Sequence, residues 1–362
     1  MRTIGLITLL TAGLASFAAA AEPIHSVVPP PVAICLQTAG PITVDGDLGD
    51  AAWQEALPYS ALTISASDLL AANQTVFRML RDADALYVGV RCFEANMQGL
   101  KTNVTSRDAS VWQDDDVELF LDTNHDHESV HQFITNAIGT RFDARSGSST
   151  WDGDWEAAGS IGPDSWSIEL RVPFATLGLE PPAVGSLWGM NLCRERLATG
   201  DRELHNWANV EGNFLRPWLF GHLYFAGSSF ELTDDLARAL YAAIEVPARV
   251  DLPEERALVT GEGVAERTSF RELLAAEFAA AGELRTLHQE LTKAYAGAPD
   301  APFRDEFGPL DERFGALQAA ATGAPGVSAL TWAQQSNEIE GLTAALDALR
   351  WKVKIALLLR DA

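Results

Sequence analysis

The residues best able to do chemistry crowd into one stretch: Val111-Trp112-Gln113-Asp114-Asp115-Asp116-Val117-Glu118-Leu119-Phe120-Leu121-Asp122. A tryptophan beside a run of carboxylates admits several chemistries. A pair of carboxyl groups across a cleft can hydrolyse a glycosidic bond. Carboxylates can also hold a hard cation. With an aromatic face next to them, they can bind a molecule that has apolar C–H faces and a hydroxyl rim, because rings cover the faces and carboxylates or amides bond the rim. Two further acidic sets, Asp45, Asp47 and Asp50, and Asn124, Asp126 and Glu128, bring oxygen donors close together without the twelve-residue EF-hand pattern. His125, His127 and His131 are also near one another, where an exposed polar loop is the default and a transition-metal site the sharper reading. No Gly-x-Ser-x-Gly, His-Glu-x-x-His or phosphate loop occurs. Glu118, Glu156 and Glu169 form no paired catalytic motif, so the chain reads as non-catalytic.

The elements that must carry these residues are strands. Alternation runs through Thr75–Arg81, Ala85–Phe93, Asp116–Asp122, His131–Asn136, Arg141–Ala144, Ser165–Val172, Leu187–Arg194 and Leu219–Phe225. Asp82-Ala83-Asp84 is a turn composition between the first two. Val117, Leu119 and Leu121 share an inward face, which turns Glu118 the other way. Asn136 shares a face with Gln132 and Ile134, away from Phe133. If the two strands pair as a hairpin, Glu118 and Asn136 meet on one surface. Two short helices fit Leu48–Ala56 and Phe174–Leu177. Many short strands with turns between them predict an antiparallel β-sandwich over residues 40–227.

From Glu231 onward the period changes to helical. Phe270, Leu274, Phe278, Leu284, Leu287, Leu291 and Tyr295 recur at helical spacing, and so do Leu342, Leu346, Leu349, Val353 and Leu357. Breaks fall at Gly297-Ala298-Pro299 and Gly323-Ala324-Pro325-Gly326. Residues 228–362 therefore read as three or four antiparallel helices, a bundle or a long hairpin. Such a domain could join copies of the chain or dock a protein partner. Its basic end, Arg350, Lys352, Lys354 and Arg360, suits the helix dipole.

The 362 residues carry a formal charge of −24, and 47% are apolar. A sizeable core is expected, and clustered basic surface for nucleic acid or anionic lipid is not. Arg2, the apolar run Ile4–Phe17 and the small residues Ala18–Ala21 read as a signal peptide cleaved near Ala21. Residues 22–39, with Pro29-Pro30-Pro31, read as a linker. A secreted or periplasmic chain without stable membrane insertion follows. Cys35, Cys92 and Cys193 could form one pair, leaving one thiol, and the sequence does not choose the pair.

Several motifs occur in a recognisable order. Ile42-Thr43-Val44-Asp45-Gly46-Asp47-Leu48-Gly49-Asp50-Ala51-Ala52-Trp53 comes first, then Asp82-Ala83-Asp84-Ala85-Leu86-Tyr87-Val88. Arg107-Asp108, the Val111–Asp122 block and Gln132-Phe133-Ile134-Thr135-Asn136 follow. Trp166-Ser167-Ile168-Glu169-Leu170-Arg171-Val172-Pro173-Phe174, Trp188-Gly189-Met190-Asn191 and Phe220-Gly221-His222-Leu223 close the series. Together they resemble the family 9 carbohydrate-binding modules, over about half the chain.

The resemblance implies a sandwich that holds a sugar between two aromatic side chains. The first falls on Trp112. The second falls on Phe214, with Trp218 and Trp207 as neighbouring substitutes. Glu118 and Asn136 match the family's polar contacts. Structural calcium is implied too, with Asp45, Asp47 and Asp50 as its candidate ligands. One departure is clear: the family's sugar-contacting arginine falls on Ile134, which donates no hydrogen bond. Arg78, Arg91 and Arg141 are the arginines available to compensate. The expected activity is non-catalytic sugar binding associated with polysaccharide breakdown. Three alternatives stay open. One is a haem-binding electron-transfer sandwich, with Met79, Met97, Met190, His131, His205 or His222 as ligands. Another is an envelope assembly protein that binds no sugar. The third is a glycoside hydrolase or its accessory.

Overall fold

The computed structural model describes residues 29–293, 303–323 and 326–360. The proposed signal peptide, Tyr295, Gly297-Ala298-Pro299 and the Ala324-Pro325 pair lie outside them. The sandwich strands are β1 (Pro31–Gln37), β2 (Thr63–Ile64), β3 (Thr75–Arg81), β4 (Ala85–Phe93), β5 (Asp116–Asp122), β6 (His131–Asn136), β7 (Arg141–Arg145), β8 (Glu156–Ile161), β9 (Ser165–Pro173), β10 (Leu187–Arg196), β11 (Glu203–Asn206) and β12 (Gly221–Phe225). Of the two expected helices, Phe174–Leu177 forms a single 3-10 turn as read, and the other shortens to Ala51–Gln54.

One layer runs β7-β6-β5-β10-β12-β1, and the other runs β3-β4-β9-β8. β1 belongs to both. Val32 to Cys35 pair in parallel with β12, while Leu36 and Gln37 pair with β3. Its Val32, Ala33, Ile34 and Cys35 are fully buried. The linker expected over residues 22–39 is thus corrected: its residues Pro31–Gln37 are the strand on which both layers close. The proline run obscured this, although Val32 to Leu36 is an apolar run short enough for a buried strand. Pro31 is tolerated because it is the first residue of the strand.

The core lies between the layers. Val117, Leu119 and Leu121 of β5 and Trp188, Met190 and Leu192 of β10 face Phe77, Met79, Leu86, Val88, Val90, Ile168 and Leu170. The inward alternation read from the sequence holds at each of these strands. The β3–β4 turn forms because Asp82 Oδ1 accepts the Asp84 and Ala85 amides, each at 2.8 Å.

The opening motif acts as a strap across the outer face of the second layer. Glu169 Oε2 accepts the amides of Asp45 (2.9 Å) and Gly46 (2.8 Å), and its Oε1 accepts Trp53 Nε1 at 2.7 Å. The Trp53 ring lies over Gly89, where a Cβ would come within 3.1 Å of it. Gly46 has φ +87°, and a Cβ there would sit 2.5 Å from the Gly159 backbone. The recurring Asp-Gly, Trp and Glu positions are thereby accounted for as fold.

Beyond the sandwich lie α1 (Asp234–Ile244), β13 (Ala248–Leu252), β14 (Glu255–Val259), β15 (Ala265–Ser269), α2 (Phe270–Lys293), α3 (Arg304–Gly323) and α4 (Ala329–Arg360). The helical bundle is present as α2–α4, packed around Phe270, Leu274, Phe278, Phe314, Trp332, Leu342 and Leu346. Helix α2 starts on a reciprocal cap, Ser269 N to Glu272 Oε2 (2.8 Å) and Glu272 N to Ser269 Oγ (3.1 Å). The purely helical reading of residues 228–362 is corrected at its start. There β13 pairs in parallel with β1, Val32 opposite Val250, and β14 and β15 extend the first layer as a meander. Ala248, Val250, Ala257 and Val259 are fully buried in the sandwich core, so their alternation is a strand signal hidden beside a long helical stretch. Among the described residues no helix is long and apolar enough to cross a membrane.

Candidate functional site: the outer face of the first layer

Alternation and register place a set of side chains on the face of the first layer that points away from the core. On β5 these are Asp116, Glu118 and Phe120, with Asn136, Ile134 and Gln132 opposite them on β6. Phe142 of β7 lies beside Ile134. On β10, Glu195 stands opposite Asp116, Cys193 opposite Glu118 and Asn191 opposite Phe120. Leu204 and Asn206 of β11 continue these rows.

The three consecutive aspartates part ways. Asp114 accepts the amides of Asn103 (2.9 Å) and Val104 (2.8 Å). Asp115 accepts those of Lys101 (2.9 Å) and Leu197 (3.0 Å). Both fasten loops around the start of β5. Asp116 points to the outer face and is fully buried. The Glu195 backbone amide is its hydrogen-bond donor, at a geometry looser than the other bonds of this face. Glu118 accepts Gln132 Nε2 at 2.7 Å. Glu195 meets Arg202, whose Nη1 is 3.1 Å from Oε2 and whose Nη2 donates to the Trp112 carbonyl at 3.0 Å. Arg202 sits in the β10–β11 turn, and sequence reasoning missed it. A charged residue after Gly200-Asp201 reads only as a solvated turn.

Burial, then the neighbouring Glu195 charge, pushes Glu118 up to about 8, against the opposing pull of the Gln132 bond and Arg202. Burial pushes Glu195 up to about 7. Asp116 is held well above the usual carboxylate range by burial, then by Glu118 and Glu195. The cause is common to all of them: carboxyls crowded on one dry patch disfavour the charged form.

Trp112 lies in the turn Val111–Gln113, half-exposed, edge-on to Phe142 at a centroid distance of 5.1 Å. Phe214, only 6% exposed, packs on Phe120 at 6.4 Å inside a separate apolar cluster with Cys193, Val210 and Phe220, so its ring face is not open to a ligand in this structure. Glu118, Gln132 and Ile134 therefore form a floor, with Trp112 at one flank through Phe142 and Phe214 on the neighbouring row through Phe120. The fold brings these predicted residues together on one face.

The other predicted contacts are placed elsewhere. Asn136 shares the face but is fully buried. Its Nδ2 donates to Val104 O (2.8 Å) and Asp114 Oδ2 (2.9 Å), and its Oδ1 accepts Thr140 N at 2.8 Å. With both amide protons engaged it is a structural anchor, which corrects its reading as a ligand contact. Trp207 is 2% exposed in the main core, with Tyr59 and Phe77 against it. Trp218 is exposed, but its neighbour Pro217 lies at His127, beyond the far end of β5 from Trp112. The seven residues of β5 span roughly 20 Å, so Trp112 and Trp218 cannot clasp one sugar ring.

The arginines considered as compensation also point away. Arg78 and Arg91 lie on the outer face of the opposite layer, and Arg141 turns to Trp155. Met79 and Met190, put forward as haem ligands, are wholly buried in the core. His205 is engaged by Glu203 at 2.6 Å.

Several of the candidate metal carboxylates accept backbone amides. Asp45 Oδ1 accepts Asp47 N at 2.9 Å, and Asp50 Oδ2 accepts Thr43 N at 2.7 Å. Asp126 Oδ1 accepts Glu128 N and Ser129 N at 2.9 and 2.8 Å. Among the described residues no group of His, Cys, Asp and Glu side chains is arranged to hold a metal ion. His131 lies against Trp151, whereas His125 packs between His127 and His222. A groove of about 1030 Å³ between α2 and α3 shares no residue with this face.

Residues 44–228 match the family described as "Carbohydrate family 9 binding domain-like". The chain belongs to this family. The family 9 match begins at the strap and ends just past β12, leaving β1 and the whole helical region outside it. Among solved structures, the chain is similar to a family 9 carbohydrate-binding module from Caldicellulosiruptor kristjanssonii, determined with cellotriose and with glucose. Each pairing has 20% identity and a TM-score of 0.42 and covers 55% of this chain; 95% of the cellotriose-bound chain and 98% of the glucose-bound chain are covered. It is also similar to a Bacteroides uniformis protein provisionally described as carbohydrate-binding, at 14% identity and TM-score 0.46, covering 54% of this chain and 99% of that one. No curated protein sequence matches the chain.

Proposed function

We propose that the chain is an exported, non-catalytic carbohydrate-binding protein whose ligand lies on the outer face of the first layer. The C–H face of a sugar ring would lie on Trp112, the half-exposed aromatic of this face. Glu118 and Gln132 would bond its hydroxyls. The observation that carries this reading is the shared floor: Glu118 and Gln132, bonded at 2.7 Å, lie between the Trp112–Phe142 pair and the Phe120–Phe214 pair. Membership of family 9 supports it, and the two complexes of the Caldicellulosiruptor module are with glucose and cellotriose. Export rests on the signal-like pattern of Arg2, the apolar run Ile4–Phe17 and the small residues Ala18–Ala21. A role in polysaccharide breakdown fits such a ligand, with the bundle serving as a spacer or assembly domain.

Isothermal titration of the purified protein against glucose, cellotriose and xylo-oligosaccharides tests the proposal, with Trp112→Ala alongside. Saturable binding lost in the variant is the expected result. No binding across the panel by the folded wild-type protein would end it.

A further inference from the structure

Helix α4 carries two apolar faces near its end. Leu349 and Val353 are buried. Helical spacing puts Trp351, Ile355, Leu358 and Leu359 on the other side, and these four are between 52% and 73% exposed. Lys352 and Lys354 flank the exposed stripe, one on each side. Lys352 also reaches Glu306 of α3, Lys354 lies over the Trp351 ring at 4.8 Å, and Arg350 pairs with Asp347. The same bundle holds a surface of the opposite character, the groove of about 1030 Å³ between α2 and α3. Its α2 wall is a seam of small residues at helical spacing, Ala275, Ala279, Gly282 and Thr286. Outside its own helix, a Cβ at Gly282 would come near Phe314 alone, at 3.7 Å. Leu274, Phe278 and Phe314 make the apolar floor. Beside the seam stand Glu283 and Glu290, both exposed. The groove's two arginines are turned to α3, Arg271 to the Ala321 carbonyl and Arg285 to Asp311. Trp351 to Leu359 rises about 12 Å and Ala275 to Thr286 about 16 Å, so the stripe fits within the seam.

We infer that two copies of this chain associate by exchange, each laying the exposed end of its α4 in the α2–α3 groove of the other. Large apolar side chains then meet small ones, as ridges enter grooves between packed helices. Lys352 and Lys354 meet Glu283 and Glu290, which orients the contact. This contact is independent of the sugar site. Pairing two α4 ends with each other would set the lysines of one copy against those of its partner. An anionic lipid surface would meet a chain of charge −24. Neither arrangement gives the apolar groove an occupant. Exchange covers both surfaces at once and closes on a two-fold axis, the commonest symmetry of soluble oligomers.

Sedimentation velocity of the full chain from about 1 to 100 μM tests the exchange, and a dimer is expected. Leu358→Asp/Leu359→Asp changes two exposed positions of the stripe, and Ala279→Arg fills the seam from an exposed position. Each should weaken dimerisation at least about tenfold. Mixing these two variants should restore dimers, because each mixed pair keeps one intact stripe facing one intact groove. Glu283→Lys/Glu290→Lys is the second groove variant if Ala279→Arg fails to fold, and adding Lys352→Glu/Lys354→Glu to it should recover the dimer. A wild-type chain that stays monomeric to the top of the range would overturn the inference. So would a dimer that survives the variants, or variants that stay monomeric when mixed. A dimer lost with the stripe variant alone would overturn it in favour of α4-to-α4 pairing. Wild-type binding to vesicles of phosphatidylcholine and phosphatidylglycerol at about 3:1, lost in Leu358→Asp/Leu359→Asp, would overturn it in favour of a membrane surface.

Discussion

Trp53 Nε1 donates to Glu169 Oε1 at 2.7 Å, joining residues 116 positions apart in the chain. Glu169 is fully buried and also accepts two amides of the Asp45-Gly46 turn. The bond shows why the opening motif and the Trp-x-x-Glu strand motif travel together: one is the strap and the other its buckle.

Removing the buckle should therefore loosen the fold without touching the sugar face. Glu169→Ala leaves the buried Trp53 indole N–H, the buried Gly46 amide and the part-buried Asp45 amide without their acceptor, a loss of about 3–5 kcal/mol. Urea unfolding followed by tryptophan fluorescence would show a lower midpoint. Sugar affinity of the folded fraction should be unchanged. A midpoint equal to wild type would refute the role given to Glu169.

The raised carboxyls predict an unusual pH profile. The fold holds Glu118 protonated up to about 8 and Glu195 up to about 7, whereas in the unfolded chain such groups lose their protons near the ordinary value of roughly 4.3. Between those limits the folded state binds more protons than the unfolded state, so stability falls as pH rises. Histidines act in the opposite sense at the acid end. Burial lowers His131 to about 4 and His222 to about 3, so stability falls as pH drops below about 6.5. Thermal melts should peak at mildly acidic pH. Glu118→Gln should raise the melting temperature at pH 9 by about 5 °C and change it little at pH 5. A variant that melts like wild type at both values would show that Glu118 is not held protonated by the fold.

The three aromatic candidates should separate cleanly. Trp112→Ala should abolish sugar binding at little cost to stability, since the ring is half-exposed. Trp207→Ala should destabilise by about 3–5 kcal/mol, because it empties a site between Tyr59 and Phe77. Trp218→Ala should change neither property. Titration and chemical unfolding of the three variants would check the pattern, and loss of binding in Trp218→Ala would move the site to the other end of β5.

The cysteines should be inert in the native protein. Cys35, Cys92 and Cys193 are unpaired and wholly buried, and burial raises each thiol above its ordinary range. No thiol should react with Ellman's reagent until denaturant is added, and then all three should, with no reductant needed. A fast native reaction, or fewer than three thiols after unfolding, would contradict this.

Much of the sandwich was legible because local chemistry set it. Alternation marked β3, β4, β5 and β6 with the ends they have, and period-2 geometry turned Glu118 away from Val117, Leu119 and Leu121. The bundle was legible for the same reason at period 3.6. Tertiary structure alone decided the rest, because burial and pairing depend on partners distant in sequence. Asn136 alternates to the same face as Glu118, yet the loops at Val104 and Asp114 close over it. Trp207 and Trp218 are nearby in the chain, yet one enters the core and the other the solvent. Pro31 to Gln37 reads as linker until β12, β3 and β13 supply its hydrogen bonds. The cluster of Asp116, Glu118 and Glu195 exists only because β10 lies beside β5 in one register, and no periodicity within either strand could reveal that.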